Sequence, residues 1–469
     1  MSNYHSTLSR REFLKALGIG GAGVVGAAAL GAAALPNLVK PVRDLDELAS
    51  STLAVPNRPS YVKEVDKPTV EVDWSVMSRF DYHNVMWAAG LQKALGQTQF
   101  DLVNAAQQGN RLLRLKHNVP GYTLKDDAFV NASYGATNSY LPPTTNSTPA
   151  DLGVPVYQGT PEENARMVRA FLRFHGAAQV AFMELDTNTT EKLIYAYDTG
   201  TGAAQGPKIT IADVDQPSET KDERILPKKA RWVIIYTIRM ADELMRRAPT
   251  EFVVAPTNLR YNLKSIIQGQ LQLFLRGLGY MGLGEASTAN ALGSKVGMGI
   301  MAGLGEHSRA MHVITPEYGL RQGIFVVITD LPLAPGKPVD FGVMRFCRVC
   351  KKCSDICPPK AINPDTEPSW NILGDYQQAG IKSWHRVEPR CLSYIRQSGS
   401  SQGCILCFAV CPLSKGKRES IYQDLFRKTI ATTPTFDRAF RKMDDLMGNG
   451  QRSDPETIWD LDLPPFGWD

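Results

Sequence analysis

The stretch CRVCKKCSDICPP, residues 347–359, decides how the rest of the chain is read. Its thiols are spaced Cys347-x2-Cys350-x2-Cys353-x3-Cys357-Pro358, and a second run follows as Cys391-x12-Cys404-x2-Cys407-x3-Cys411-Pro412. These are all eight cysteines of a 469-residue chain. Short Cys-x2-Cys loops let consecutive thiolates wrap one face of a metal centre while backbone N–H groups turn toward sulfur, and the Pro directs the chain away. Structural zinc also uses Cys-x2-Cys pairs, but it has no need of an x3-Cys-Pro ending twice. Disulfides suit an exported protein, yet the three cysteines from Cys347 to Cys353 are too close along the chain to pair well.

The first run matches the bacterial ferredoxin pattern, in which three cysteines bind one [4Fe–4S] cube and the fourth binds the other. Crossed sharing gives two complete sets. Cys347, Cys350, Cys353 and Cys411 would hold one cluster, and Cys357, Cys391, Cys404 and Cys407 the other. The second run departs from the pattern, because twelve residues separate Cys391 from Cys404. Lys351, Lys352 and Lys360 are candidates for a positive local field that would raise a cluster potential; solvated surface lysines are the simpler reading.

Outward from this unit, composition narrows the possibilities. The chain is 43% hydrophobic and 21% charged, with a formal net charge of +5. Those values exclude widespread disorder, and the charge is too mild for a nucleic-acid partner. The N-terminus reads Ser9-Arg10-Arg11-Glu12-Phe13-Leu14-Lys15 and then runs uncharged to Leu35. A basic lead, a modest apolar run and small residues describe an export signal, and the Arg pair matches the twin-arginine type. The organisation expected is a leader over 1–35, an irregular or helical region over 36–160, a core over 161–335, a two-cluster unit over 336–420 and a tail over 421–469.

Within the core, Thr160-Pro161-Glu162-Glu163 predicts a capped helix start, followed by a strand over 177–185. Residues 187–229 read as a polar excursion. Trp232–Ile238 and Phe325–Thr329 read as buried strands, and Leu263, Ile266, Ile267, Leu271, Phe274, Leu275 and Leu278 mark a long helix. Alternating helices and strands predict an α/β core. The glycines between Gly277 and Gly305 match no Walker or dinucleotide fingerprint.

An exported two-cluster unit behind such a core resembles the corrinoid-dependent reductive dehalogenases of organohalide-respiring bacteria. The residues that carry the resemblance are the leader, Thr329-Asp330-Leu331-Pro332-Leu333, Pro338-Val339-Asp340-Phe341-Gly342 and the Cys391-x12-Cys404 interval. The resemblance implies an α/β (α+β) nitroreductase-like core that binds base-off cobalamin, followed by a ferredoxin-like domain with two [4Fe–4S] clusters. It implies an anaerobic terminal reductase that replaces halogen by hydrogen on small organohalides, chlorinated ethenes or alkanes, with Co(I) corrinoid fed by the clusters. It also implies Tyr261 as proton donor and Asn290 in the pocket, with Thr257, Gly303 and Gly305 beside the cofactor. The basic residue expected near the tyrosine falls on Gly323 by count, and Arg321 is the nearest substitute. The implied partners are a small membrane-anchor subunit and an upstream respiratory electron donor, at the outer face of the cytoplasmic membrane. Asp81-Tyr82-His83 has Met86 where the corrinoid-ligating Asp-x-His-x-x-Gly needs Gly, which argues against a histidine lower ligand. The alternatives are an exported iron–sulfur electron-transfer subunit without its own chemistry and an epoxyqueuosine-reductase-like enzyme.

Overall fold

The computed structural model describes residues 61–85, 89–117, 119–122, 139–144, 148–151, 155–199, 205–286, 292–398, 403–415, 421–446, 451 and 454–468. The leader over 1–35 and Asn290 lie outside the described residues. In chain order the elements begin with β1 (Lys63–Glu64), α1 (Ala89–Leu95), α2 (Gln97–Lys116), α3 (Pro161–Phe174) and β2 (Gln179–Glu184). There follow β3 (Lys208–Ala212), β4 (Ser218–Glu219), β5 (Glu223–Pro227), β6 (Trp232–Arg239), α4 (Asp242–Met245), α5 (Val254–Leu278), β7 (Gly282–Leu283) and α6 (Lys295–Met301). The chain continues with β8 (Glu306–His307), β9 (Val313–Ile314), β10 (Gln322–Thr329) and β11 (Val339–Asp340). Six helices close it: α7 (Val343–Cys350), α8 (Lys352–Ile356), α9 (Glu388–Gln397), α10 (Leu406–Ala409), α11 (Ile421–Thr432) and α12 (Asp437–Leu446).

The longest apolar runs become the two central strands of a four-stranded sheet ordered β2-β6-β10-β7. Ile235 of β6 lies opposite Ala181 on one side and Val326 on the other. Side chains alternate across a strand, so the sheet feeds two cores. Val180, Phe182, Ile234, Tyr236, Phe325 and Val327 face a layer made by α3 and α5. Ala181, Met183, Val233, Ile235, Val326 and Ile328 face the opposite layer, which holds Met298, Ala302 and Leu304 of the α6 region. A strand covered on both faces reads as a continuous apolar run, which is why Trp232–Ile238 stood out in the sequence.

Every pairing in this sheet is antiparallel, so of the α/β (α+β) expectation the core takes the α+β form. The expected excursion over 187–229 carries a sheet of its own, ordered β3-β5-β4, with β3 and β5 parallel. It closes over a buried Arg224–Asp198 ion pair. The long helix starts at Val254, ahead of the periodic residues, and stops at Gly279, whose φ of 94° is a left-handed cap that glycine adopts without a steric penalty.

The cysteine-bearing helices α7 to α10 pack beyond the edge of the core, and β11 pairs with β1 from the N-terminal region. The last segment is more than a tail. Phe426 and Ile430 of α11 and Phe440 and Met443 of α12 share one apolar cluster with Phe346, Cys347 and Cys350. No described helix is long and apolar enough to cross a membrane.

Candidate cluster sites and the Tyr261 pocket

Two cysteine loops repeat one local geometry. Lys351, which follows Cys350, has φ 54°, and Ile405, which follows Cys404, has φ 47°. A β-branched residue in the left-handed region costs energy and persists where its surroundings demand it. The turn aims backbone N–H groups at sulfur: Lys352 N–H serves Cys350, Leu406 N–H serves Cys404 and Leu413 N–H serves Cys411. Ala361 N–H donates to Cys357 Sγ at 3.3 Å.

The eight thiols are free and gather into two groups. Cys347, Cys350, Cys353 and Cys411 line a small cavity with Arg309, Phe346 and Leu413, and Cys407 of the other set also reaches its wall. Cys357 and Cys391 pack together with Cys407 around Ala361 and Ile362, and Cys404 acts electrostatically on Cys407. Burial pushes the Cys347 thiol up to about 12 and the Cys404 thiol up to about 11. Thiols in such surroundings stay protonated and inert unless a metal takes the proton's place. Among the described residues no three His, Cys, Asp or Glu side chains converge closely enough for a single ion; the thiols surround a space. That donor set, all sulfur with N–H groups directed at it, fits two iron–sulfur cubes.

Tyr261 stands in the second turn of α5, half-buried, its ring edge-on to Phe325 of β10 with centroids 5.8 Å apart. Two cations flank it. The Arg260 guanidinium lies 4.9 Å from the Tyr261 ring centroid. Its side chain fills the space above Gly323, where a Cβ would come within 2.6 Å of Arg260 Cδ. Lys295 Nζ sits 5.6 Å from the Phe325 ring centroid and 2.8 Å from Glu285 Oε1. Burial opposes the Lys295 charge, but Glu285 and Tyr261 together outweigh it and hold the ammonium above the ordinary lysine range. Behind them Lys264 Nζ reaches Glu285 Oε2 at 3.5 Å, and burial pushes Lys264 down to about 8. Tyr82 stacks on Tyr195 at 4.3 Å as an aromatic wall, and burial holds both phenols above the ordinary tyrosine range.

Other expected site residues are placed differently. Arg321 is turned away: its Nη1 pairs with Asp242 Oδ2 at 3.1 Å, as a buried guanidinium needs a carboxylate. Arg260 occupies the place that Arg321 was expected to fill. Thr257 Oγ1 donates to Val253 O at 3.2 Å, so its proton is committed within the helix. Gly303 adopts φ 81° after α6, and a Cβ at Gly305 would lie 2.0 Å from Ile314 O. Backbone packing alone accounts for both glycines. Asn290 is outside the described residues. Of the Asp81-Tyr82-His83 segment, Asp81 caps a short 3-10 turn by accepting from His83 N–H.

A flat, amide-edged corrinoid needs aromatic or apolar walls and unclaimed hydrogen-bond donors. Tyr82, Tyr195 and Phe325 supply the first, and Arg260 Nε, buried with no hydrogen-bond partner among the described residues, supplies one of the second. The residues present fit that group. Sequence reasoning missed Arg260, Lys295, Glu285 and Tyr82. Only Gly323 hinted at them, as a small residue making room beside a site.

Comparison with known proteins identifies the family. The family model described as "Reductive dehalogenase subunit" matches residues 57–141 and 134–333. The trichloroethene reductive dehalogenase of Dehalococcoides mccartyi is 28% identical over 99% of this chain and 98% of its own length. The tetrachloroethene reductive dehalogenase of Sulfurospirillum multivorans is 36% identical over 56% of this chain and 50% of its own. Among solved structures, the catabolic reductive dehalogenase NpRdhA in complex with 3-bromo-4-hydroxybenzoic acid superposes with a TM-score of 0.60 at 20% identity, covering 85% of this chain. The chain spans about half the length of that solved protein, 51%. With the family model covering more than half of it, the chain belongs to the reductive dehalogenases, oxidoreductases that act on halogenated compounds.

Proposed function

We propose that this chain is the catalytic subunit of an organohalide-respiring reductase that replaces halogen by hydrogen on small chlorinated ethenes or alkanes. The observation that carries the reading is the placement of two four-thiol groups against the core that holds Tyr261. Cys404 and Ile405 pack against Phe252, Val253, Val254 and Ala255, where α5 begins. Likeness to chloroethene dehalogenases over nearly the full length of the chain supports the substrate class.

A corrinoid held in the core would supply the low-valent cobalt that takes electrons from two [4Fe–4S] clusters to the carbon–halogen bond. The protein's own residues do the rest. Replacing halogen by hydrogen consumes two electrons and one proton, and Tyr261 Oη is the proton's source. A tyrosine hydroxyl is a weak acid of the kind that serves as a general acid when it is positioned against the reacting atom. The Arg260 and Lys295 cations then stabilise the phenolate left behind. Tyr82, Tyr195 and Phe325 exclude water and present apolar faces to a small halocarbon.

The N-terminal Arg10-Arg11 pair supports export by the twin-arginine route, with the folded protein peripheral on the outer face of the cytoplasmic membrane. A small membrane-anchor subunit and an upstream respiratory donor complete the assembly, and nucleic acid has no part in it.

Tyr261→Phe tests the reading. General acids contribute about 10²–10⁴-fold; a loss of that order is expected, with iron and cobalt content unchanged. Full turnover by the variant would remove Tyr261 from its role.

A further inference from the structure

Beside the cavity lined by Cys347, Cys350, Cys353 and Cys411 lies a fully buried arginine. The side chain of Arg309 is 1% exposed and stacks 4.4 Å from the Trp384 ring centroid. Its Nε and Nη2 both donate to Cys347 O, at 3.1 and 2.8 Å. Its Nη1 donates to Asn363 O at 2.7 Å and Asp365 O at 2.6 Å. All these acceptors are carbonyls. Among the described residues no carboxylate forms an ion pair with it; Asp365 acts on it only at longer range, and Cys347, Cys353 and Cys350 act on it electrostatically ahead of Asp365.

The neighbouring cations are either paired with carboxylates or exposed to solvent. Lys352 and Lys415 share Asp444, and Lys352 also binds Asp445 at 2.6 Å. Lys351 Nζ is exposed and donates to Thr366 Oγ1. Lys360 Nζ donates to Asp355 O at the surface. Glu306, on the side of Cys347, accepts from Phe341 N–H, Val343 N–H and Thr69 Oγ1. The second thiol group has its own arginine: Arg386 acts on Cys391 and Cys407. That arginine is neutralised, because Nη2 and Nε both meet Glu388 Oε1 at 2.8 Å.

A buried guanidinium with only carbonyl partners lacks its counter-charge. Four thiolates around an iron–sulfur core provide one, and each one-electron reduction adds a further negative charge to it. We propose that Arg309 is the charge partner of the Cys347–Cys350–Cys353–Cys411 centre and raises its reduction potential, while Glu388 cancels the equivalent effect of Arg386 at the other centre. Of the lysines singled out in the sequence, Lys352 is offset by Asp444 and Asp445, and solvent screens Lys351 and Lys360. The proposal rests on the iron–sulfur reading above.

Redox titration of the anaerobic, full-length holoenzyme, followed by electron paramagnetic resonance, tests it. Arg309→Gln is expected to shift one of two reduction waves to more negative potential. The expected shift is at least tenfold in the reduction equilibrium, about 59 mV for one electron. Arg309→Lys should restore most of it. Glu388→Gln, which unmasks Arg386, should move the other wave to more positive potential, and it decides the matter alone if Arg309→Gln does not assemble both centres. A wave left in place in an assembled variant, or both waves moving together, overturns the assignment. Wild-type protein with neither wave would sink the iron–sulfur reading itself.

Discussion

At the scale of single residues the candidate site around Tyr261 turns on an exchange between Gly323 and Arg260. A glycine on β10 leaves room, and the side chain preceding Tyr261 on α5 crosses into it, so the cation arrives from the helix while the strand stays bare. Arg260→Gln is expected to lower kcat about tenfold, ~1.4 kcal/mol of transition-state stabilisation, with KM little changed, and Arg260→Lys should recover part of it. Gly323→Ala should lower kcat as well, because its Cβ displaces Arg260. Steady-state assays of the three variants check this; unchanged kcat in all of them would remove Arg260 from the site. None of it was legible in the sequence beyond the anomaly at Gly323. The residues concerned are far apart along the chain; residue counting fell on Gly323, and the substitute offered, Arg321, pairs with Asp242. The cysteines were legible because cluster chemistry constrains them within a few residues of one another.

Local rules at the level of elements were read correctly where the determinants are themselves local. Thr160 and Glu163 form the reciprocal cap that their spacing announced, with Pro161 in the first turn. The apolar stripe of α5 lies where expected except at Ile266, which is exposed, and Leu271 and Leu275 are fully buried between α3 and the sheet. Leu271→Ala is expected to cost about 2–5 kcal/mol, the range for a buried Leu emptied into a cavity. Denaturant unfolding of the holoenzyme measures it, and a cost below about 1 kcal/mol would mean the α5–sheet contact is loosely packed. Strand direction was not legible, since a strand buried on both faces has the same apolar run whether its neighbours are parallel or antiparallel. The β3-β5-β4 sheet was missed for a related reason. Its strands are short and polar, and the buried Arg224–Asp198 pair beneath them joins residues from separate strands and turns.

Across the whole molecule, the core and the thiol-bearing helices are tied by buried polar groups as well as apolar ones. His307 Nε2 meets Ser383 Oγ at 2.7 Å, and burial pushes this imidazole down to about 4, with His385 adding to the effect. His312 is held low by burial as well. Between pH 6.5 and 4 the unfolded chain takes up a proton at His307 that the folded chain refuses. Stability is therefore unaffected by this group above pH 6.5 and falls as pH drops through that window, by about 3 kcal/mol at its end. His307→Gln should flatten that part of the pH–stability curve, read by anaerobic urea unfolding; an unchanged slope would mean the imidazole titrates normally. In the proposed function these parts work as one machine, in which a corrinoid-bearing core fed by two clusters would remove halogen from small chlorinated hydrocarbons. The most direct test is halide release by the purified, cobalt-loaded protein with a reduced viologen as donor, against vinyl chloride, dichloroethenes, dichloropropane and chlorobenzenes. The account predicts chloride release from the ethenes or alkanes in proportion to bound cobalt. Release that is independent of cobalt, or none from any of these compounds by protein carrying both clusters and cobalt, would contradict it.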